Sequence, residues 1–208
     1  CAVTGPILIV PFKYPLIKVC RNGELTIGDL HGNALKLIYF LLHEGVLSLS
    51  EQDYQAIIEI YYKNPENLTR KNLDAFNDIL DKSTFTNDAK NILIRLIGDE
   101  VADRGQNDYF ILKLYELMDK LNVNCQVIVS NHGLDFLKQF YAAEGGISAP
   151  NPMSLYLKAS SPGGKPPGYF GHSLGKLREC IANEMVTLNE VNQLVNENYL
   201  NKLKLVSF

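Results

Sequence analysis

The sequence predicts an α/β protein with a mixed or parallel β-sheet flanked by helices. Apolar, β-branched runs such as Ile92–Ile97 and Cys125–Val129 alternate with segments whose apolar residues recur at helical spacing. The chain has 208 residues, enough to bury one substantial core without requiring two. We therefore expect a single domain over residues 1–208, with the strands inside and helices covering the sheet.

The first elements of the chain are predicted to be strands. Ile7–Val10 and Leu16–Val19 are apolar and β-branched, and Arg21–Glu24 contains an Asn-Gly pair. Because Asn-Gly favours a two-residue turn, we predict a hairpin whose return strand is Leu25–Ile27. This strand ends directly before a polar segment.

Helical patterns follow, and two of them form a predicted helical insertion at about residues 48–90. Ser50 and Asp53 form a capping pair for a helix through Tyr62, and a second helix fits residues 69–80. Outside the insertion, helical patterns cover residues 34–47, 108–121, 134–143, 174–185 and 188–200. The Gly/Pro/Ser-rich stretch 145–175 is predicted to be a loop. Residues 204–208 resemble a strand cut short, so we expect a fragment that lacks the C-terminal part of its fold.

Composition excludes several classes of function. Apolar residues make up 46% of the chain and charged residues 21%, with a net charge of −3. No Lys/Arg cluster could follow a nucleic-acid backbone, so no nucleic-acid partner is expected. No apolar run approaches the roughly 20 residues of a membrane span. The four cysteines show no paired spacing, which favours a reducing, cytoplasmic compartment.

Three short polar segments carry most of the functional information, and each follows a predicted strand. They are residues 28–33 (Gly-Asp-Leu-His-Gly-Asn), 98–105 (Gly-Asp-Glu-Val-Ala-Asp-Arg-Gly) and 130–133 (Ser-Asn-His-Gly). Open α/β sheets bind their ligands at the carboxyl ends of the strands. A Gly-Asp pair alone is a common turn, whereas three such segments in this order predict a metal site.

The residue types suit two divalent cations. Asp29 and His31 are two positions apart and both reach one ion from an extended loop. Asp99 is placed to bridge two ions, and Asn131 offers a neutral oxygen to the second. Carboxylates suit hard cations and imidazole suits Mn, Fe and Zn, so we expect two divalent metal ions, with Mn favoured over Fe, Zn or Mg. Two cations about 3.5–4 Å apart would clamp a phosphate and activate water as the nucleophile.

Three further residues are assigned to substrate chemistry. Arg104 offers a planar, two-pronged donor for phosphate oxygens. His132 is suited to protonate the leaving oxygen as a general acid, and Asp103 to hold that imidazole in its protonated form. These roles require the three side chains to converge in space.

At this point the chain resembles the calcineurin-like metallophosphoesterases, and within them the phosphoprotein phosphatase branch. That family is marked by Gly-Asp-x-His-Gly, Gly-Asp-x-x-Asp-Arg-Gly and Gly-Asn-His-Glu, and the resemblance covers about residues 25–140. It implies a metallophosphoesterase-type sheet, and metal ligation by residues at the first Asp and His, the second Asp and the Asn. In this chain the implied metal ligands are Asp29, His31, Asp99 and Asn131. The resemblance also implies that Arg104 binds the phosphate and that His132 and Asp103 form the acid pair.

The chain departs from this pattern in four ways. Ala102 is an extra residue in the second motif, and Ser130 and Gly133 replace the Gly and Glu that flank Asn-His. The stretch between the first two motifs is longer than in eukaryotic members. His172 is the only histidine after the third motif, where the family supplies two, so the missing ligands are expected beyond residue 208. Such departures resemble divergent bacterial phosphatases, including those delivered into host cells.

The expected function is hydrolysis of a phosphomonoester by metal-activated water. The favoured substrate is a phosphoprotein that carries phosphorylated Ser/Thr or Tyr. A nucleotide or dinucleoside polyphosphate phosphoesterase would use the same motifs. A third reading is a catalytically degraded, phosphatase-like binding module, whose function would survive Asp99→Asn. The oligomeric state stays open.

Overall fold

The structure is a computed structural model that describes residues 13–18, 23–28, 30–63, 67–101, 108–141 and 185–205. Several predictions fall outside these ranges: the strand at residues 7–10, the loop at 145–175 and most of the helix at 174–185. Three predicted site residues, Asp29, Asp103 and Arg104, also lie outside them, as does His172.

Strands and helices alternate along the described ranges. The strands are β1 (Gly23–Ile27), β2 (Leu47–Ser48), β3 (Thr84–Phe85), β4 (Ile92–Leu96), β5 (Cys125–Ile128) and β6 (Leu203–Lys204). The helices are α1 (Ala34–His43), α2 (Glu51–Tyr61), α3 (Arg70–Lys82), α4 (Asp108–Lys120), α5 (Asn131–Phe140) and α6 (Leu188–Gln193). None of the described helices combines the length and apolarity needed to cross a membrane.

The central sheet is parallel and has the order β1-β4-β5-β6. β4 lies in the middle, and its residues alternate between fully buried and half-buried. Since parallel strands need crossover connections, the helices lie between them in the chain, and this arrangement confirms the predicted α/β class. The carboxyl ends of β1, β4 and β5 all meet at one edge of the sheet.

Two helices are apolar on nearly all sides because they are enclosed by other elements. Eight of the ten residues of α1 are buried, and nine of the thirteen in α4. α3 instead buries one face, where Phe76 lies 4.3 Å from the Phe110 ring of α4, centroid to centroid. The buried Cys125 belongs to the same core, and burial raises the pKa of its thiol to about 12. This thiol is structural, as expected of a cysteine in an apolar strand.

The predicted N-terminal hairpin is wrong in the part that the structure describes. Residues 16–18 form no strand, and the described partner of β1 is β4, to which it runs parallel. The segment instead binds the end of α1. The Lys18 amide donates to the His43 carbonyl at 2.6 Å, and His43 Nδ1 donates to the Leu16 carbonyl at 2.7 Å. These contacts occupy backbone groups that a hairpin ladder would have needed.

The predicted insertion contains two helices joined to a small antiparallel sheet. Ser50 caps α2 by accepting from the Asp53 amide at 3.0 Å, as predicted. Thr69 and Asn72 form a reciprocal capping box at the start of α3. β2 and β3, which the sequence did not suggest, pair with each other and close the segment at its base. That this segment is an insertion relative to other phosphatases stays a prediction.

The C-terminal helix is less regular than the periodicity of residues 188–200 indicates. α6 ends at Gln193, a π-helical segment covers Leu194–Tyr199, and a 3-10 turn covers Leu200–Lys202. β6 follows and pairs with β5. It shares one residue with the strand predicted at 204–208, of which residues 206–208 lie outside the described ranges. Single π-helical turns are frequent at functional sites, and this one carries the buried Tyr199.

α1 ends four residues earlier than predicted because Gly45 adopts a left-handed conformation with φ +65°. The Val46 amide donates to the Leu41 carbonyl and the Gly45 amide to the Leu42 carbonyl, which is the Schellman arrangement. A Cβ at position 45 would lie 2.4 Å from the Lys18 carbonyl oxygen. The position therefore requires glycine for two independent reasons.

We expect Gly45→Ala to lower the free energy of unfolding by about 2 kcal/mol or more, since the left-handed backbone and the clash both penalise a methyl group. Urea denaturation measures the change. Asn122→Ala is the control, because Asn122 is also left-handed (φ +56°) but its Cβ is already accommodated. The control should lose less than about 1 kcal/mol. Equal losses in the two variants would contradict the clash with Lys18.

Candidate metal centre

The described parts of the three polar segments meet at the carboxyl edge of the sheet and are hydrogen-bonded to one another. The His31 amide donates to the Asp99 carbonyl at 2.5 Å, and the Gly32 amide donates to the Glu100 carbonyl at 3.1 Å. The buried Tyr61 hydroxyl of α2 donates to the Gly32 carbonyl at 3.2 Å. The loop after β1 is thus held by the loop after β4 on one side and by α2 on the other.

Three side chains converge between these loops. His31, Asp99 and His132 each present one ligand atom, and these atoms all lie within 4.8 Å of one another. The two imidazole rings are edge-to-face, with centroids 5.8 Å apart. His132 is buried, and His31 and Asp99 are half-buried. One carboxylate and two imidazoles are a donor set typical of Mn, Fe or Zn sites.

The Asp99 carboxylate fits a cation because one of its oxygens needs a partner. Oδ1 is buried and accepts no hydrogen bond from the described residues. A buried carboxylate oxygen without a donor is costly, and a metal ion would relieve that cost. The residues present therefore fit a divalent cation, both in chemistry and in spacing.

Two of the three cluster residues have a strained backbone. His31 has φ +50° and Asp99 has φ +52°, in the left-handed region that L-residues with side chains rarely adopt. Each such conformation costs about 1–3 kcal/mol and persists where the surrounding structure enforces it. Strain of this kind concentrates at functional sites, and here it falls on two predicted metal ligands.

Ser130 links the second loop to the third. Its hydroxyl oxygen accepts from the Asp99 amide at 2.9 Å and from the Gly133 amide at 3.1 Å, so it also caps α5. The same side chain packs closely on Gly98, where a Cβ would lie 3.2 Å from the Ser130 Cβ. In the sequence Ser130 is only a departure from the motif, and its bridging role becomes visible only in three dimensions.

Glu100 and Tyr199 lie beneath α5, and sequence reasoning missed both. The Tyr199 hydroxyl donates to Glu100 Oε1 at 2.5 Å, and both side chains are buried. Burial raises the pKa of the Glu100 carboxyl to about 7, although the Tyr199 hydrogen bond lowers it and the Asp99 charge raises it further. Glu100 lies inside the second motif, which was the available signal. Nothing in the sequence around Tyr199 distinguishes it from a core residue.

The predicted site residues fall into three groups. His31, Asp99 and His132 come together, as described above. Asn131 begins α5 beside His132 and is exposed. Asp29, Asp103 and Arg104 stay predictions, since they lie outside the described residues. His43 makes only structural contacts, stacked on the Tyr39 ring and bonded to the Leu16 carbonyl, as its helical position suggested.

The fold and the site together describe an α/β protein with a candidate divalent-cation centre at the carboxyl edge of its parallel sheet. The family model described as "WipA-like, phosphatase domain" matches residues 93–208, more than half of the chain. The chain belongs to this family. The matched range includes Asp99 and His132, whereas His31 precedes it.

The structure is also similar to the crystal structure of the phosphatase domain from the Legionella effector WipB. The TM-score is 0.68 at 26% sequence identity, and the match covers 91% of this chain and 62% of that one. This chain therefore spans less than two thirds of the WipB structure. No curated protein sequence matches the chain.

Proposed function

We propose that this protein is a metal-dependent phosphatase that hydrolyses phosphomonoesters. The observation that carries the proposal is the cluster of His31, Asp99 and His132 at the carboxyl edge of the sheet, where hydrogen bonds between the loops enforce a strained backbone at His31 and Asp99. Membership of a phosphatase-domain family supports the reaction class. The three motifs support a place among the calcineurin-like metallophosphoesterases, in the phosphoprotein phosphatase branch.

In this proposal Asp29, His31, Asp99 and Asn131 hold two divalent cations, with Mn favoured. When bound, such ions polarise the phosphoryl group and provide a strong nucleophile from water at neutral pH. The hydrogen bonds between the loops keep His31 and Asp99 in place before substrate arrives, so little reorganisation accompanies the reaction. Arg104 binds the phosphate oxygens, and Asp103 holds the His132 imidazole in its protonated form.

His132 has two candidate roles, and its position in the cluster is compatible with both. As a general acid it would donate a proton to the leaving oxygen. As a third ligand it would hold a cation beside Asp99, because its ring nitrogen lies within 4.8 Å of the Asp99 ligand atom. We propose the acid role, which the Asn-His order in the third motif favours, since Asn131 then supplies the ligand.

A leaving-group comparison tests the role of His132. We expect His132→Asn to lower kcat on an alkyl phosphate by about 10²–10⁴-fold, because the departing alkoxide needs a proton. The loss on p-nitrophenyl phosphate should be much smaller, since p-nitrophenolate leaves unprotonated. Bound Mn per chain, measured by atomic emission, should not change. Equal losses on both substrates together with lost Mn would identify His132 as a ligand instead.

The proposed substrate is a phosphoprotein, with Ser/Thr and Tyr both open. The crystallised relative is described as a Legionella effector, which supports delivery of this protein into a host cell as part of the proposal. Turnover with Mn²⁺ on phosphoserine, phosphothreonine and phosphotyrosine peptides, compared with nucleotides and dinucleoside polyphosphates, tests the substrate class. We expect the peptides to be preferred by kcat/KM. A preference for nucleotides would contradict the phosphoprotein assignment.

A further inference from the structure

The first turn of α5, which carries Asn131 and His132, lies on a buried hydrogen bond between two other elements. Glu100 comes from the loop after β4 and Tyr199 from the π-helical segment after α6. A Cβ built on Gly133 would lie 2.9 Å from the Tyr199 hydroxyl and 3.2 Å from Glu100 Oε1. The paired side chains therefore fill the space directly beneath the turn and leave room there for glycine alone.

This contact explains a departure in the third motif. The motif that this chain resembles has Glu after Asn-His, whereas this chain has Gly133. A carboxylate is nevertheless present at this place, because Glu100 Oε1 lies within van der Waals distance of the position that a side chain on residue 133 would occupy. The carboxylate comes from the preceding loop, and a buried tyrosine holds it.

We propose that the Glu100–Tyr199 hydrogen bond positions the turn that carries Asn131 and His132, so that Glu100 and Tyr199 are positioning residues for the reaction. Three observations support this. Both side chains are buried, their hydrogen bond spans 99 positions of the chain, and Tyr199 lies in a π-helical turn. Around Tyr199, the Tyr115 ring stacks in parallel and the Phe136 ring of α5 packs edge-on, which fixes the direction of its hydroxyl.

The inference rests on the proposed function, because the turn matters only if Asn131 and His132 serve the reaction. Residues that orient metal ligands without touching the metal typically change affinity or activity by about 10–100-fold when mutated. Removing the Tyr199 hydroxyl should change affinity and activity by a factor in this range. The effect should fall on kcat and Mn affinity and leave KM unchanged, since both side chains are buried beneath the turn.

Tyr199→Phe is the principal variant, because it removes one hydroxyl and keeps the ring packing. The matched control is Tyr115→Phe: the Tyr115 ring is equally buried and stacks on Tyr199, but its hydroxyl has no hydrogen-bond partner among the described residues. We expect Tyr199→Phe to lower kcat and Mn affinity by about 10–100-fold. Tyr115→Phe should leave both unchanged.

A double-mutant cycle provides the second measurement. Gly133→Ala places a methyl group against the Tyr199 hydroxyl, so it should disturb the same turn. If both changes act through one contact, their losses should not multiply. The kcat of the Gly133→Ala/Tyr199→Phe double variant should then be at least about fivefold higher than the product of the two single losses predicts. The control cycle of Gly133→Ala with Tyr115→Phe should be multiplicative. A multiplicative Tyr199 cycle, or a Tyr199→Phe enzyme with wild-type kcat and Mn affinity, would overturn the inference.

Amide NMR of the metal-free protein separates failure of this inference from failure of the proposed function. Tyr199→Phe should shift the backbone amide resonances of Asn131 and Gly133, and Tyr115→Phe should not. If wild-type protein neither binds Mn²⁺ nor hydrolyses any phosphoester, the proposed function fails, yet these shifts would still support positioning of the turn. Unchanged amide resonances in Tyr199→Phe would overturn the positioning role whatever the activity.

Discussion

Replacing Asp99 by Asn is expected to abolish turnover while leaving the metal-free protein at least as stable as the wild type. Asparagine adopts the left-handed backbone of this position as readily as aspartate does. The substitution also removes a half-buried charge that lies near the Glu100 carboxylate and whose Oδ1 has no hydrogen-bond partner among the described residues. Losing the ligand should cost several kcal/mol of transition-state stabilisation, or about 10³-fold or more in kcat/KM.

Thermal unfolding with and without Mn²⁺ measures whether Asp99→Asn also removes the binding of Mn²⁺. A ligand present at 100 times its dissociation constant stabilises the native state by about 2.7 kcal/mol. We expect this increment in the wild type and none in Asp99→Asn. Asp81→Asn is the control, because it changes the same charge in an exposed ion pair with Lys120. The control should keep both turnover and the Mn²⁺-dependent increment. An active Asp99→Asn enzyme would contradict a role for Asp99 as a ligand.

Replacing Ser130 by Ala should weaken both folding and metal binding, because one hydroxyl oxygen serves two loops. Its loss leaves the Asp99 and Gly133 amides without their acceptor in a partly buried place. Each lost acceptor costs about 1–3 kcal/mol, so the free energy of unfolding should fall by about 2–6 kcal/mol. The left-handed backbone of Asp99 also loses its restraint, so Mn affinity should fall by about 10–100-fold.

Ser50→Ala is the matched control for this prediction. Ser50 caps α2 in the same way, through one backbone amide, but it is exposed and distant in sequence from the three loops. Its loss should cost about 1 kcal/mol and leave Mn affinity unchanged. Isothermal titration with Mn²⁺ together with urea denaturation compares the two variants. Equal effects of both serine substitutions on stability and on Mn affinity would contradict the bridging role of Ser130.

The sequence was most informative where chemistry and local structure coincide. The three polar segments follow β1, β4 and β5, and three of their predicted residues, His31, Asp99 and His132, meet at the sheet edge. A parallel sheet brings its strand ends together whatever the lengths of the connections, so order along the chain was enough to predict this meeting. The starts of α2, α3 and α4, which follow Ser, Thr or Asp signals, were likewise predicted to within a residue. α5 is the exception, because it begins at Asn131 after its Ser130 cap and not at the predicted residue 134.

Features that depend on distant contacts could not be predicted. The Asn-Gly pair at residues 22–23 indicated a hairpin, but β1 pairs with β4, about 70 residues further along the chain. Tyr199 looked like any helical core residue until the fold placed its hydroxyl against Glu100. Gly133 looked like the loss of a functional glutamate, whereas the space beside it is filled by a carboxylate from another loop. In each case the deciding partner is remote in sequence.

The most direct test of the central claim is an anomalous difference map from crystals grown with Mn²⁺, recorded on the wild-type protein. We expect a Mn peak within about 2.3 Å of ligand atoms of His31 and Asp99, as for direct coordination by imidazole and carboxylate. A second peak bridged by Asp99 would match the two-cation arrangement. A map with no peak at this cluster, from crystals whose protein hydrolyses phosphoesters, would contradict the metal centre proposed for this phosphatase.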